Sequence, residues 1–290
     1  MQPTGPSQAI SDLGFSPRDV KFLERVVAGG RAGGAGTRYE DWYATFRLLL
    51  AARTHVTGGP DIAVETQATA FVNDVVVHDS VVDYCQAKTS PTVAWDAKLR
   101  RQFRLQHRLC RARQESHGLR LVTPHPERLK RLRRTRPGSV TKVTGIEVFP
   151  QVPPWDSSSP AIPTLLELSA DAQAGPSQVE ALAKAYASAL VSTPAGQRCL
   201  ASAATEAVRA LPTPLVRSTA QPPTNWPAAA AILAAIPGLS VVVDRGLCTY
   251  RHGPERGIVA ACDAPGFARF LDRVVERRPT TFRAFTKGLP

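Results

Sequence analysis

The chain has 290 residues, room for one large domain or two modest ones, and its 43% hydrophobic content supports a buried core. No apolar run reaches the length of a membrane span. The opening MQPTGPSQAISDLGF lacks the basic and apolar regions of a secretory signal. Cys85, Cys110, Cys199, Cys248 and Cys262 form no CxxC pair, which fits reduced thiols in a cytoplasm better than a disulfide framework. Net charge is +12, and residues 98–136 carry all of it, with 14 Lys and Arg against Glu115 and Glu127; elsewhere the signs balance at 22 each. Clustering of one sign points to an anionic polymer, nucleic acid before membrane. Arg accumulating on solvated faces of an Ala-, Pro- and Arg-rich chain is the plainer alternative.

In chain order, SPRDVKFLERVVAGG (16–30) predicts a helix capped by Ser16 with Pro17 in its first position. It runs into GGRAGGAGT (29–37), which lacks the strand and the Lys of a phosphate-cradling loop and reads as a flexible hinge. TRYEDWYATFRLLLAA (37–52) sets Tyr39, Trp42, Tyr43, Phe46, Leu49 and Leu50 at helical spacing, a stripe facing a core. DIAVET (61–66), FVNDVVV (71–77) and VVDYCQAK (81–88) read as strands. VAWDAKLRRQFRLQHRLCRARQ (93–114) predicts an amphipathic helix, with Trp95, Leu99, Phe103, Leu109 and Cys110 inward. Arg100, Arg104, Arg108 and Arg111 track along another side. LRLVT (119–123) and VTGIEVFP (143–150) read as strands, separated by a very basic loop that carries Lys130, Arg131, Arg133 and Arg134.

A Pro/Ser-rich linker (150–163) follows, then Ala-rich helices over 176–192, opened by a Ser177–Glu180 capping box, and over 195–211. Another proline stretch (212–227) precedes strand, strand, strand, helix over 239–278. The fold class expected is α/β (α+β). Its parts are a lead helix and hinge (1–36), a central domain (37–150) and a C-terminal α/β domain for a partner or oligomerisation (160–290).

The segment VNDVVVHDSVVDYCQAKTS (72–90) looks like a hairpin with an acid, an amide and an amine where strands disfavour them. Tyr84, Gln86 and Lys88 share one face. If HDS forms a three-residue loop, Val77 pairs with Val81, and Asp74 faces Tyr84, diagonal to Gln86 on the same side. A two-residue loop would separate Asp74 from Gln86. Carboxylate and amide oxygens suit Mg²⁺, which keeps several waters for phosphate exchange. A neighbouring Lys can stabilise charge on an attacked phosphate and orient a water. Bland readings stand beside this one. Glu40 completes a TRYE capping box with Thr37, Asp74 suits a solvated sheet face, and Gln86 and Lys88 suit an edge strand. Glu65 is an accessory ligand or an ordinary strand polar. No His has the spacing of an HNH-type centre, and Cys248, His252 and Cys262 match no zinc spacing.

The order helix with Glu40, strand with Asp74, strand with QAK at 86–88 resembles the PD-(D/E)xK nuclease superfamily. GTRYEDWYATFRLLL, VNDVVV and YCQAKTS with a following Trp are similar to the nuclease domain of bacterial anti-phage effectors of the CBASS endonuclease type, over roughly residues 34–125. The resemblance implies a restriction-endonuclease-like mixed sheet flanked by helices and a site of Glu40, Asp74, Gln86 and Lys88. Asp74, Gln86 (through its amide oxygen) and Glu40 would hold Mg²⁺ or Mn²⁺, with Lys88 serving the nucleophile and the scissile phosphate. Gln86 departs from the commoner acid and brings no charge. The expected activity is hydrolysis of DNA, with RNA possible, at little sequence preference. Arg100, Arg104, Arg108, Arg111, Lys130, Arg131, Arg133 and Arg134 would grip the backbone, and a sensor partner or homo-oligomer would restrain cleavage. A catalytically weakened nucleic-acid-binding module and an assembly adaptor are the alternatives.

Overall fold

The structure is a computed structural model that describes residues 10–31, 34–171, 174–211, 215–217 and 221–289, with backbone alone for 30, 31, 34–37 and 265. Helix α1 (Pro17–Arg31) opens as expected: the Ser16 hydroxyl accepts from the Asp19 backbone N–H (3.3 Å) and donates to the Asp19 carboxylate (2.8 Å). Helix α2 (Gly34–Val56) begins three residues before Thr37, so Thr37 lies within the helix and cannot be its N-cap. Of the expected hinge, residues 32 and 33 lie outside the described residues, and 34–36 are helical.

Strands β1 (Ala63–Thr66), β2 (Val75–His78) and β3 (Val82–Ala87) form an antiparallel meander. Helix α3 (Ala97–Ala112), capped by Asp96 through the Leu99 N–H, crosses over to β4 (His117–Thr123), which runs parallel to β3. The basic segment, expected as a loop, folds into a short helix α4 (Leu129–Arg134). Buried Leu132 anchors it, its carbonyl accepting from the Trp95 indole at 2.9 Å. Strand β5 (Thr144–Val148) then adds in parallel to β4.

The next elements correct the expected domain boundary. Helix α5 (Ile162–Leu168), helix α6 (Pro176–Val191), strand β6 (Arg198–Leu200) and helix α7 (Ala201–Arg209) do not start a separate unit. β6 pairs antiparallel with β1, giving a six-stranded mixed sheet of order β5-β4-β3-β2-β1-β6. One core joins Tyr43, Leu48 and Val64 to Leu165, Leu182, Tyr186 and Val208. At α6 the expected Ser177–Glu180 box is replaced by Gly175, whose backbone N–H donates to the Gln178 side chain (2.9 Å).

Alternation places Val75, Val77, Cys85 and Ala87 against α2 and its neighbours, and Val76, Tyr84, Leu119 and Leu121 against Leu99 and Phe103 of α3. A core separate from the large sheet begins at α8 (Trp226–Ala234). There β7 (Leu239–Asp244), β8 (Leu247–His252) and β9 (Glu255–Ala261) form a separate antiparallel sheet covered by α8, α9 (Pro265–Arg277) and α10 (Phe282–Thr286). All five cysteines are buried and unbridged. No helix among the described residues is long and apolar enough to cross a membrane.

Candidate metal and phosphate cleft

The β2–β3 register is Val75↔Cys85, Val76↔Tyr84, Val77↔Asp83 and His78↔Val82. The loop is therefore Asp79–Ser80–Val81, three residues long but one position beyond HDS. Because the loop length stays odd, Asp74 and Gln86 share a face. Because the register moves by two, Tyr84 faces Val76, and the next pair sets Asp74 across from Gln86. Both are deeply buried, at 5% and 3% exposure.

Asp74 Oδ2 accepts from the Gln86 side-chain Nε2 and from the Ala87 backbone N–H at 2.8 Å. Gln86 thus turns its NH₂ toward the carboxylate, while its Oε1 faces the Gln102 Nε2 at 3.4 Å. Oxygen ligation by Gln86 requires that amide to turn over, and a cation at Asp74 would favour the turn by repelling the NH₂. Glu40 arrives from α2 at the same end of the sheet. Gln67 fixes it, donating from Nε2 to Glu40 Oε2 at 2.8 Å. Gln67 adopts a left-handed backbone (φ 51°) just past β1, and its own Oε1 is buried with no partner among the described residues.

A cleft of about 540 Å³ holds Glu40, Asp74, Gln86 and Lys88 together, with Arg25 of α1 and Lys98 of α3 on its walls. The lead helix is thus part of the site's enclosure. Phe15, Phe22 and Val26 seat it against Phe71 and Leu109.

Burial pushes the Glu40 carboxyl up to about 7; the Asp74 charge adds to this, and Lys88 and the Gln67 hydrogen bond oppose it. Burial likewise raises Asp74, against the Lys88 charge, the Ala87 N–H, the Gln86 amide and Lys98. Two carboxylates that each disfavour the other's charge form a place where a cation is welcome. No group of three or more His, Cys, Asp or Glu among the described residues gathers to hold a metal. Donors that line the cleft include the two carboxylates and the Gln86 amide, hard oxygens of the kind Mg²⁺ takes.

Two residues outside the expected set anchor Phe71 and Val72, the segment that leads into Asp74. Gln102 Nε2 donates to the Phe71 carbonyl (3.0 Å), and Gln106 Oε1 accepts from the Phe71 N–H (2.9 Å) and the Val72 N–H (3.4 Å). Both are buried on α3. Their signal in the sequence was two amides four apart within an apolar stripe. Glu65 lies apart from the cleft, 2.8 Å from the His78 Nε2. His107 of α3 and His117 at the start of β4, ten residues on, meet at 2.8 Å.

The basic residues divide. Arg104 and Arg111 on α3 and Lys130, Arg131, Arg133 and Arg134 on α4 are exposed. Arg100 turns inward to the carbonyls of Trp95 (2.7 Å) and Thr135 (3.0 Å). Arg108 bonds the Gly14 carbonyl (2.7 Å) and lies 4.5 Å over the Phe15 ring. No family model, no curated protein and no solved structure matches the chain.

Proposed function

We propose that the chain is a metal-dependent nuclease that hydrolyses DNA phosphodiesters, with RNA a possible substrate. The observation that carries this reading is the meeting of Glu40, Asp74, Gln86 and Lys88 in one cleft that Arg25 and Lys98 also line. Glu40, Asp74 and, once its amide is turned, Gln86 would hold Mg²⁺ or Mn²⁺. A bound ion there supplies charge neutralisation at the phosphate and a more acidic water.

The chain's own groups do the rest. Lys88 puts a positive charge within reach of both carboxylates, where it would steady the phosphate's developing charge and orient the attacking water. The P–O ester bond breaks as the water oxygen bonds to phosphorus; the water gives up a proton to solvent and the departing oxygen takes one up from it, leaving a phosphate monoester and a hydroxyl. Arg104, Arg111 and the α4 cations would hold the backbone without reading bases. The resemblance further suggests anti-phage defence, under control of a sensor partner or of oligomerisation.

Plasmid cleavage in Mg²⁺ or Mn²⁺ tests the activity. The expectation is nicking or linearisation by the wild type and a loss of about 10²–10³-fold in Asp74→Ala and Lys88→Ala. Equal cleavage by all three proteins would sink the assignment. A second reading, a nucleic-acid-binding module with a weakened site, draws on the Gln86 NH₂ turned toward Asp74. Salt-sensitive DNA binding without cleavage in any divalent metal would favour it.

A further inference from the structure

Among the described residues, α8, α9 and α10 pack on one face of the three-stranded sheet. On the open face the register sets out three rows. Ser240, Arg251 and Arg256 form the first, Val242, Thr249 and Ile258 the second, and Asp244 with Leu247 the third. These rows floor a cleft of about 800 Å³, in the size range of small-molecule sites, whose far wall includes Ala170, Asp171 and Gln178. Arg245 ties the two walls together by donating to the Leu166 carbonyl at 2.6 Å.

Two features of this face work against stability if nothing binds it. Arg251 and Arg256 are direct cross-strand partners, an arrangement in which like charges repel. Both are exposed, and neither has a carboxylate within 4.0 Å among the described residues. Val242 and Ile258 are 50% and 38% exposed, and they flank Thr249 in one β-branched row. Alternation along β9 keeps Ile258 on the open face and sends Val259 into the core, and a register shift follows at once, between Thr249 and Cys248. Such bulges re-aim side chains beside binding sites.

We propose that this cleft binds a nucleoside phosphate, a function separate from phosphodiester cleavage. The paired guanidiniums and the Ser240 hydroxyl take the phosphate, because planar forks meet phosphate oxygens two at a time. The Val242–Thr249–Ile258 row gives the base an apolar floor. Asp244 accepts from the base's N–H edge. From Ser240 to Asp244 is four residues of strand, about 13 Å, a span that a nucleotide covers from phosphate to the far edge of its base. The Asp171 and Asp244 carboxylates belong to the acidic end and would repel a ligand that was anionic throughout.

Equilibrium dialysis of the full chain in EDTA tests this, with the four nucleoside monophosphates and inorganic phosphate as probes. At least one nucleotide is expected to bind about tenfold or more tightly than inorganic phosphate. Arg251→Glu/Arg256→Glu should cost about 100-fold, and Val242→Asp should weaken nucleotides while sparing inorganic phosphate. Should the double variant fail to fold, Arg256→Gln, an exposed single change, is expected to lose several-fold. Inorganic phosphate binding as well as every nucleotide would overturn the proposal. So would binding that survives these variants but disappears in Arg131→Glu/Arg133→Glu/Arg134→Glu, or no binding at all.

Discussion

The β2–β3 hairpin carries two polar clusters, at opposite ends and on opposite faces, and they follow opposite rules. At the β3 start, the Asp83 carboxylate meets Arg47 (3.3 Å) and both Nε and Nη2 of Arg120 (2.9 and 2.8 Å). Tyr43 links this group to Glu147 at 2.9 Å and accepts from Arg47 at 2.9 Å. Gly118, across from Asp83 in β4, leaves the carboxylate room that a Cβ would fill. Charge is matched by charge there. At the β3 end, Asp74 and Glu40 share a cleft with no ion pair within 4.0 Å among the described residues; burial raises both, and the Asp74 charge adds to the rise at Glu40. A matched network holds a fold together, whereas an undermatched one with open volume is where a ligand's charge does the matching.

The sharpest way to break the comparison is at the matched end. Asp83→Ala leaves Arg47 and Arg120 without their shared carboxylate, and urea unfolding should show a loss of about 3–5 kcal/mol. Manganese uptake at the other end should persist in the protein that still folds. Asp74→Asn should do the reverse. It removes a buried charge with little loss or some gain in stability, while cleavage falls by about 10²–10³-fold.

Smaller effects sharpen the contrast. Gln106→Leu orphans the Phe71 and Val72 N–H groups beside Asp74, and should cost about 1–3 kcal/mol in unfolding. Glu40→Gln tests the charge penalty directly. Because the folded carboxyl titrates near 7, above its ordinary range, the wild type loses stability as pH rises through that window. In metal-free buffer the variant's melting temperature should exceed the wild type's at pH 8, with the gap closing by pH 5. Least of all, Arg104→Glu/Arg131→Glu should lower the salt slope of log K for DNA by about 0.9 for each phosphate contact removed. An unchanged slope would take these two residues off the contact face.

Much of the sheet was legible because β-branched runs and turn residues act locally. The parity that unites Asp74 and Gln86 followed from an odd loop, but its register did not. Asp79, Ser80 and Val81 close the turn, and no short-range rule separates that choice from His78, Asp79 and Ser80. Strand β6 was hidden inside a helix-like stretch because its three residues, only one of them buried, get their partner from β1, 133 or more positions away. The domain boundary failed for the same reason: proline marks breaks in local structure, while Leu165, Leu182 and Tyr186 declare their partners only on packing. The α3 arginines could be placed on a helix face by periodicity. That Arg100 and Arg108 would be spent on carbonyls of Trp95, Thr135 and Gly14 depended on segments brought in by the tertiary fold.

Manganese binding followed by electron paramagnetic resonance at neutral pH probes the undermatched end most directly. One ion per chain in the wild type and in Asp83→Asn, lost in Asp74→Ala and weakened in Glu40→Gln, is the result expected. Manganese binding that ignores Asp74→Ala, or none in the wild type, would contradict the account.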